Sequence, residues 1–179
     1  MSSLRITFAC ILFAVALPAT GAVVDAAASS RPAVAAATQA ITPAGVGKVK
    51  LGESYAQLRA KHLVGTIRKG CELAGPQARS ANLRPPLNGG VDFTMSSPRK
   101  VVDISVRGGA AARGVGIGAT LHDIKSAFPK AKVDHSTDGT FGLTLVRIPK
   151  NGGGRLQFAV DTKTHKVTLI GIPLIAFCE

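Results

Sequence analysis

The chain has 179 residues, 46% of them hydrophobic, and its 22 Lys and Arg outnumber its 10 Asp and Glu, which gives a formal net charge of +12. A surface this basic favours anionic partners in general. Nucleic-acid binding normally adds a readable motif or aromatic stacking platforms, and a chain with one Tyr and no Trp argues against that class of partner. Because the basic residues are spread along the chain, solubility is the simplest role for the charge.

The first 22 residues have the pattern of a secretory signal peptide. Arg5 supplies a short positive region, and the apolar run 6–17 is too short to span a bilayer. Small residues predict cleavage after Ala22; a cut within 25–28 and retention as an uncleaved anchor are the alternatives. Cys10 would fit a lipoprotein signal, but almost no apolar segment precedes it. We therefore expect an exported protein, secreted or held in the cell envelope.

Residues 23–43 are mostly Ala with Ser, Thr and Pro, and they show few large apolar side chains and no helical periodicity. Such a stretch buries too little surface to offset its ordering entropy, so we predict a flexible leader. Residues 44–179 are then the folded part of the chain. That length suits one domain, or two half-domains that share a core.

A short helix is predicted where Ser54 occupies the position of an N-cap. Gln57, three places further on, completes a capping box with it. The residues after the cap recur at i, i+3 and i+7, the spacing of one helical face. The stripe that this helix buries is Tyr55, Leu58 and His62.

The same signals recur 66 residues later, at a second predicted helix. Thr120 is its N-cap and Asp123 completes the capping box. The stripe of this second helix is Leu121, Ile124 and Phe128, and Pro129 ends it. Nine residues aligned without a gap at this offset indicate a duplicated unit.

Each predicted helix is followed by apolar and polar residues in alternation, which predicts antiparallel strands. The two hairpins lie at 89–106 and 155–172, and their alignment places Phe93 on Phe158. We therefore predict an α+β fold of two tandem repeats, each a short helix followed by about three antiparallel strands, with the helices packed on one face of the sheet. The predicted boundaries are 45–107 for repeat one, 114–172 for repeat two and 173–179 for a C-terminal tail.

Cys71 and Cys178 are the two cysteines that remain once a signal containing Cys10 is removed. Two cysteines in an exported chain usually form one disulfide, which here would close a loop of about a hundred residues. The alternative is a metal-binding or catalytic thiol, which needs a His or acidic partner in a reducing compartment. We predict a Cys71–Cys178 disulfide that ties repeat one to the end of the chain.

Two glycine-containing segments look like ligand-binding loops. Residues 114–118 lie between a strand and a helix start, but no Lys-Ser/Thr pair follows and Gly52 holds the matching place in repeat one. Residues 134–139 match the first half of a calcium loop, but Leu145 occupies the position that needs a bidentate Glu. We interpret the first as structural glycines and the second as an Asp-Gly turn, with weak surface cation binding as its alternative.

No catalytic, cofactor-binding or metal-binding residue is predicted. The four His share no metal-ligand spacing, the carboxylates are few and scattered, and a nucleophile motif such as G-x-S-x-G is missing. We therefore expect a non-enzymatic protein. For its contact surface we predict exposed basic residues of the hairpins, with a purely solvated role as the alternative: Arg107, Arg147 and Arg155.

The unit V-x-L-G-x-S-x-x-x-L at 49–58, followed by a hairpin and then repeated, resembles the tandem repeat of the β-lactamase inhibitor protein family. It is also similar to the small envelope lipoproteins of the outer-membrane assembly machinery. More broadly, the chain resembles small exported bacterial proteins with one early Cys and a second at the C-terminus. The resemblance covers about 45–179, and it implies a layout and a bias toward protein binding.

Together these features predict an exported, non-enzymatic protein-binding or inhibitor-like module. Its contact surface would be the sheet face with its loops, and its partner an unknown protein or an anionic envelope component. The alternative is a basic structural protein associated with the cell envelope, held there by its charge. A hydrolase with a cleft between the repeats is the third hypothesis. No cofactor and no nucleic acid are expected.

Overall fold

A computed structural model describes residues 39–149 and 155–177, which belong to one unit, Ala33–Glu179. The predicted signal peptide and residues 23–38 of the predicted leader lie outside the described residues. The strands are β1 (Gln39–Thr42), β2 (Gly45–Val46), β3 (Val49–Lys50), β4 (Arg68–Lys69), β5 (Arg79–Asn82), β6 (Asn88–Phe93), β7 (Val101–Gly108), β8 (Ala110–Ala112), β9 (Val115–Gly116), β10 (Lys132–Asp134), β11 (Leu143–Ile148), β12 (Leu156–Asp161) and β13 (Val167–Ile172). The helices are α1 (Tyr55–Ala60), α2 (Leu121–Ala127) and α3 (Asp138–Phe141), with a 3-10 helix at Glu72–Ala74.

The strands form two sheets. The large sheet has eight antiparallel strands in the order β10-β11-β12-β13-β7-β6-β5-β4. The small sheet has five short strands in the order β3-β2-β1-β8-β9, in which β1 and β8 run parallel. β1 falls within the stretch predicted as a leader, so the end of that stretch is folded. The strands β7 and β13 pair at the centre of the large sheet, with three further strands on either side.

The fold is mostly β, and the predicted α+β layout with helices packed on one face of the sheet is wrong. Strand accounts for 45% of the structure and helix for 15%, in three short helices. α1 has six residues and α2 has seven, and each buries one side chain, Leu58 and Ile124 respectively. Helices of fewer than two or three turns present too little apolar surface to cover a sheet. The two sheets therefore provide the layers of the fold.

The predicted stripe of the first helix extends beyond the helix itself. α1 ends at Ala60, and His62 follows with a left-handed φ of 55° and an exposed side chain. Phe128, which the sequence aligns with His62, is instead buried against Phe158, with 5.8 Å between the ring centroids. His62 therefore does not occupy the packed position that the stripe predicts.

One hydrophobic core is shared by the two sheets. Val46 and Val49 of the small sheet belong to the same buried cluster as Val106 and Phe158 of the large sheet. Full burial of a side chain of this size stabilises the fold by about 1.5–3 kcal/mol. The largest fully buried side chains come from both repeats: Leu58, Ile104, Ile124, Phe158, Ile170 and Ile172.

Both predicted capping boxes are present. The Ser54 hydroxyl oxygen accepts from the Gln57 N–H at 3.3 Å, and Gln57 Oε1 accepts from the Ser54 N–H at 2.8 Å. Thr120 and Asp123 form the same reciprocal bonds, at 3.3 and 2.8 Å. These bonds satisfy N–H groups that have no partner inside the helix, which is why the helices begin at these residues.

The approach to each helix is also the same. Gly52 and Gly118 have φ values of 81° and 86°, in a region that favours glycine. The N–H of Gly52 donates to the Val101 carbonyl at 2.8 Å, and the N–H of Gly118 donates to the Val167 carbonyl at 2.8 Å. Each helix is thereby fastened to the last strand of its own hairpin.

A β-bulge shapes the first hairpin, β6–β7. Phe93 pairs with Val101 and Asp92 pairs with Asp103, so Val102 is an extra residue on β7. A bulge shifts the phase of side-chain alternation by one residue. Without it, Asp103 would point into the core; with it, Asp103 lies on the opposite face, in line with Asp92.

The second hairpin, β12–β13, has its bulge at the equivalent place, where Thr168 is the extra residue. The cross-strand pairs on either side of it are Val160 with Val167 and Ala159 with Leu169. The Ala159–Leu169 pair therefore stands where repeat one has its two aspartates.

This register corrects the sequence alignment of the hairpins. Val101 and Val167 begin the two returning strands, and their partners are Phe93 and Val160. Phe93 therefore corresponds to Val160 and not, as the sequence alignment predicts, to Phe158. The reason is that loop length and bulge position, which set the pairing, leave little trace in hydrophobic alternation.

Candidate functional site

The large sheet has a second face, turned away from the shared core, and we refer to it as the outer face. Alternation along each strand places every second residue on it. Four polar residues form one row across β4 to β7, each paired in register with the next: Arg68, Ser80, Asp92 and Asp103. The two aspartates, which we refer to as the acid pair, face each other on neighbouring strands.

Asp103 is deeply buried, with 7% of its surface exposed. Its carboxylate accepts a hydrogen bond from the backbone N–H of Leu174. Its Oδ2 atom has no hydrogen-bond partner within residues 39–149 and 155–177. A buried polar atom left unsatisfied costs about 1–3 kcal/mol, and native proteins carry few of them. Such a group is a candidate for function because the fold keeps it at the expense of stability.

The pKa values of both aspartates of the acid pair are raised above their ordinary value. Burial raises the pKa of Asp103 to about 7, the negative charge of Asp92 adds to the rise, and the Leu174 N–H bond opposes it. Burial also raises the pKa of Asp92, while the positive charge of Arg68 acts in the other direction. Opposed residues of an antiparallel pair hold their Cβ atoms about 5 Å apart, so two negative charges there repel each other. Asp103 therefore changes its charge near neutral pH.

Two arginines that line the cavities with Asp92 bind other groups. Arg68 Nη2 donates to Asn82 Oδ1 at 2.8 Å. Arg79 Nη1 donates to the backbone carbonyl oxygens of Pro76 and Ala78, at 2.9 and 2.8 Å. In the described part of the chain, no Lys or Arg forms an ion pair with either aspartate. Within residues 39–149 and 155–177, the charge of Arg68 acts on Asp92, but the acid pair is held in no ion pair.

Two cavities open on the outer face beside the acid pair. The acidic cavity, of about 510 Å³, has both aspartates on its wall, and the rest of its lining includes Ala78, Met95, Val102, Pro173 and Leu174. The polar cavity, of about 570 Å³, is lined by residues that include Arg68, Ser80, Asn82, Asn88, Ser105 and Arg107. Residues common to both linings include Cys71, Asp92 and Ala176.

Exposed apolar side chains surround the acidic cavity. Met95, Val102 and Leu174, which we refer to as the apolar rim, are 54%, 47% and 46% exposed. Leu73, 78% exposed, precedes Ala74, which lines the same cavity. Single exposed apolar residues are ordinary, whereas a cluster around a cavity is typical of an interaction surface.

The segment 173–177 crosses the outer face and helps to build the acidic cavity. The Ile175 N–H donates to Oε1 of the buried Gln157 at 2.9 Å, next to the bond between Leu174 and Asp103. Gly171 permits this close approach, since a Cβ there would overlap the carbonyl oxygen of Leu174. Leu174 is therefore held at the rim by its own N–H bond to Asp103 and by the bond from the next residue, Ile175, to Gln157.

The repeat-two half of the outer face is covered. Its buried apolar cluster consists of Leu145, Ala159, Leu169 and Ile175, with Leu143 and Phe177 packed against it. Phe177 also stacks on Phe141, with 4.3 Å between the ring centroids. The same C-terminal segment thus closes one half of the face with Ile175 and Phe177 and leaves the other half open.

The structure brings together two of the three arginines that the sequence predicts as contact residues. Arg147 and Arg155 line one cavity of about 250 Å³ with Lys132, and Arg147 also forms an ion pair with Asp134. Arg107 lies apart from them, on the wall of the polar cavity. All three side chains are exposed. The one beside the acid pair is therefore Arg107.

Cys71 lies beside the acid pair, on the wall common to both cavities. Cys178 lies outside the described residues, so the Cys71–Cys178 disulfide stays a prediction. Ala176, two residues before Cys178, lines the same two cavities as Cys71. This placement supports the prediction, because it brings the end of the chain close to Cys71.

The two loops that resemble ligand sites have structural roles within the fold. Residues 114–118 include the turn and the second strand of the antiparallel β8–β9 hairpin and do not follow a strand of a parallel crossover, so they lack the setting of a phosphate loop. In the loop 134–139, Asp134 accepts from the Ser136 N–H at 3.0 Å and Asp138 from the Thr144 hydroxyl at 2.8 Å. Among the described residues, no group of three His, Cys, Asp or Glu is placed to hold a metal ion.

Reasoning from the sequence missed the acid pair, because it treated the carboxylates as scattered. A signal was present: Asp92 and Asp103 interrupt two apolar strands, and Asp is disfavoured inside strands. The hairpin predicted at 89–106 already placed them on neighbouring strands. Their direct opposition, however, depends on the bulge at Val102, since a regular ladder would pair Asp92 with Val102 instead.

No described helix has the length and apolar character that crossing a membrane requires. The family models contain none that matches this chain. Neither the curated proteins nor the solved structures contain a match. The resemblance to the β-lactamase inhibitor protein family therefore stays a prediction, and the function must be argued from the geometry of the outer face.

Proposed function

We propose that the chain is an exported, non-enzymatic protein-binding module whose contact surface is the repeat-one half of the outer face. The observation that carries the proposal is the apolar rim: Met95, Val102 and Leu174 are each about half exposed around one cavity. Exposing apolar surface is unfavourable in water, so a cluster of this kind is best explained by a partner that covers it.

The surroundings of the apolar rim also suit a protein partner. Protein interfaces combine an apolar centre with polar groups at their margin. The polar cavity supplies such groups next to the rim, among them Arg68 and Arg107. Val102 lies on a strand at the centre of the large sheet, and Leu174 is held by its N–H bond to Asp103. A rigid contact surface loses less entropy on binding.

Two parts of the proposal, export and the absence of catalysis, rest on the sequence. The apolar run 6–17 with a small-residue cleavage region is typical of a secretory signal, and the sequence offers no motif for a nucleophile or metal. The β-lactamase inhibitor-like repeat adds a bias toward binding a protein, and it does not point to any one protein.

A second candidate function is a basic structural protein of the cell envelope. Two observations favour it: the formal net charge of +12, and the grouping of Lys132, Arg147 and Arg155 around one small cavity. Such a protein would bind an anionic polymer or headgroup through its charge, and that binding would weaken as salt screens it.

The two candidates can be separated with one matched pair of variants. Val102 and Thr168 are the extra residues of the two bulges, and both are exposed. Val102→Glu places a charge in the apolar rim, whereas Thr168→Glu makes the same change on repeat two. The immobilised chain and both variants are exposed to an extracytoplasmic extract and, separately, to purified envelopes, each at low and high salt.

The proposed binding module predicts a single saturable protein that the wild-type chain retains at high salt, that Thr168→Glu also retains and that Val102→Glu loses. Equal retention by the two variants would contradict a contact surface at the rim. Envelope retention that salt abolishes and neither variant changes would favour the structural alternative. Hydrolytic turnover on a substrate panel that is lost on mutating a His or Asp would overturn both.

A further inference from the structure

The acidic cavity contains a feature that an apolar contact surface does not need. Asp103 is 7% exposed, its Oδ2 atom has no hydrogen-bond partner among the described residues, and the residue lines the cavity. Asp92 lies directly opposite on the neighbouring strand and lines the same cavity. Two carboxylates at one apolar-walled cavity indicate that a positively charged group is recognised there.

We propose that the acidic cavity takes a lysine side chain of the protein partner, with the ammonium group bound between Asp103 and Asp92. This inference rests on the proposed function, since it names the chemistry by which the partner is recognised. The partner surface would present the lysine among apolar residues, which would then cover the apolar rim.

The hydrogen bonds already made by Asp103 favour lysine over arginine. A guanidinium group binds best to both oxygens of one carboxylate at once. In Asp103 the carboxylate already accepts the N–H of Leu174, and Oδ2 is the atom without a partner among the described residues. An ammonium group is compact and has three donors, so it can bond one oxygen of Asp103 and one of Asp92 together. Because Oδ2 of Asp103 is itself buried, the side chains of the apolar rim must shift slightly to admit the ammonium group.

The walls of the cavity suit the stem of the same side chain. A lysine has four methylene groups, which pack well against apolar surface while the ammonium group seeks polar partners. The apolar side chains that line the cavity include Ala78, Met95, Val102 and Leu174. Its volume of about 510 Å³ leaves room for a lysine side chain.

The two guanidinium groups beside the acid pair are bonded to other groups, so neither takes the place of a cationic occupant. The guanidinium group of Arg79, which shares the lining, is directed to backbone carbonyl oxygens, and Arg68 is bonded to Asn82. Burial and mutual repulsion raise the pKa of Asp103. A bound cation would offset both effects, because it favours the charged form of each carboxylate.

The test uses n-pentylamine as the probe and 1-pentanol as its uncharged counterpart, added to the full mature chain and followed by amide chemical shifts in NMR. The variants are Asp103→Asn, which keeps the shape of the side chain, and Glu72→Gln, which removes one negative charge from an exposed residue outside the acidic cavity. Folding of each variant is checked from its spectrum.

Pentylamine is expected to shift the amides of Leu174 and Ala176 saturably, and pentanol to bind at least roughly tenfold more weakly, because a charged hydrogen bond is lost. Asp103→Asn is expected to weaken amine binding by a similar factor, and Glu72→Gln to leave it within about twofold. If Asp103→Asn does not fold, Asp92→Asn and the amine–alcohol comparison on the wild-type chain decide whether the cavity binds a cation.

The lysine pocket is overturned if pentylamine does not bind, if pentanol binds equally well, or if Asp103→Asn binds the amine as the wild type does. Those results would leave the proposed function standing, provided that Val102→Glu still abolishes retention of a protein at high salt. Conversely, amine binding without any retained protein would remove the proposed function and leave only a cation pocket.

Discussion

The two halves of the outer face are built on equivalent strands of the two repeats, β4 to β7 and β10 to β13, and differ in what covers them. In repeat two, Ala159 pairs with Leu169, and the C-terminal segment closes over this pair with Ile175. In repeat one, the equivalent pair is Asp92 with Asp103, beneath an apolar rim that stays exposed. The folding signals, namely the capping boxes, the approach glycines and the bulges, are present in both.

The two halves therefore have different roles: the covered half stabilises the fold, and the open half contains the candidate site. The covered half gains from burying apolar side chains, as a sheet face normally does. The open half places a carboxylate where repeat two places Leu169, which lowers stability unless a partner compensates it. A duplicated unit can tolerate this, because the other copy and the shared core continue to stabilise the fold.

A substitution that makes the covered half resemble the open half should have the largest effect on the free energy of unfolding. Leu169→Asp places a carboxylate in a cluster where Leu169 is 8% exposed, and we expect a loss of about 3–5 kcal/mol in the free energy of unfolding. Met95→Asp, at a residue 54% exposed on the open half, should change it by less than about 0.5 kcal/mol. Urea denaturation measures both, and equal losses would contradict the contrast between the halves.

The predicted Cys71–Cys178 disulfide would tie the open half to the end of the covering segment. Mass analysis of the mature chain without reductant should find no free thiol, and two free thiols would rule the bond out. Cys71→Ser is expected to lower the free energy of unfolding by about 2–5 kcal/mol, because the unfolded chain regains the entropy of an open loop. Thermal unfolding with and without reductant gives the same comparison on the wild type.

Asp103→Asn should flatten the pH dependence of stability. An unfolded Asp titrates near 3.8 and the folded Asp103 near 7, so the folded chain binds more protons in between. The contribution of Asp103 is therefore full below about pH 4 and is lost as the pH rises through about 7. Since Asn does not titrate, the free energy of unfolding of the variant should rise relative to that of the wild type by on the order of 4 kcal/mol from about pH 4 to 8.

Urea titrations of both chains across this pH range check the difference, with Asp92 present in each. Parallel curves would show that Asp103 titrates in its ordinary range. If the variant instead becomes less stable relative to the wild type as the pH rises, the pKa of Asp103 is lowered in the folded chain, which would contradict the burial of this carboxylate.

Gly171→Ala should release the segment that distinguishes the two halves. The new Cβ would overlap the carbonyl oxygen of Leu174, so the segment must shift or the sheet must strain, at about 1–3 kcal/mol. Gly139→Ala is the control, because its Cβ would meet nothing within 4 Å and its φ is not positive. Hydrogen exchange at the Ile175 amide should quicken in the first variant alone; slow exchange in both would contradict this role of Gly171.

Ser54→Ala and Thr120→Ala should have the smallest effects, and similar ones. Each removes the side-chain half of a capping box, for which about 1 kcal/mol is usual. The two repeats differ on their outer face and not at these caps, so the losses should agree within about 0.5 kcal/mol. A large loss in one repeat alone would show that the two approaches are not equivalent.

Local signals made the caps, the hairpins and the approach glycines predictable. Ser54 with Gln57 and Thr120 with Asp123 form capping boxes that depend on residues three places apart, which a sequence displays directly. Fold class was not predictable in the same way. The apolar stripe through His62 suggested a longer helix than α1, and the short strands β2, β3, β8 and β9, of two or three residues each, carry almost no periodicity.

The candidate site was harder to predict from the sequence. Asp92 and Asp103 were visible as acids inside predicted strands, and the hairpin between them was predicted, but their opposition depends on one extra residue at Val102. The apolar rim joins Met95 and Val102 to Leu174, more than seventy residues away in the chain. Contacts at that separation arise only when the C-terminal segment folds back over the sheet.

The sequence by itself determined the duplicated helix starts, the two hairpins and the excess of positive charge, because each depends on neighbouring residues or on composition alone. Tertiary structure alone decided which strands meet, which face each side chain occupies and that the chain is mostly β. The physical reason is that pairing register and burial depend on long-range packing of the whole core. A shift of one residue at Val102 therefore decides whether Asp103 lies in the core or at the cavity on the outer face.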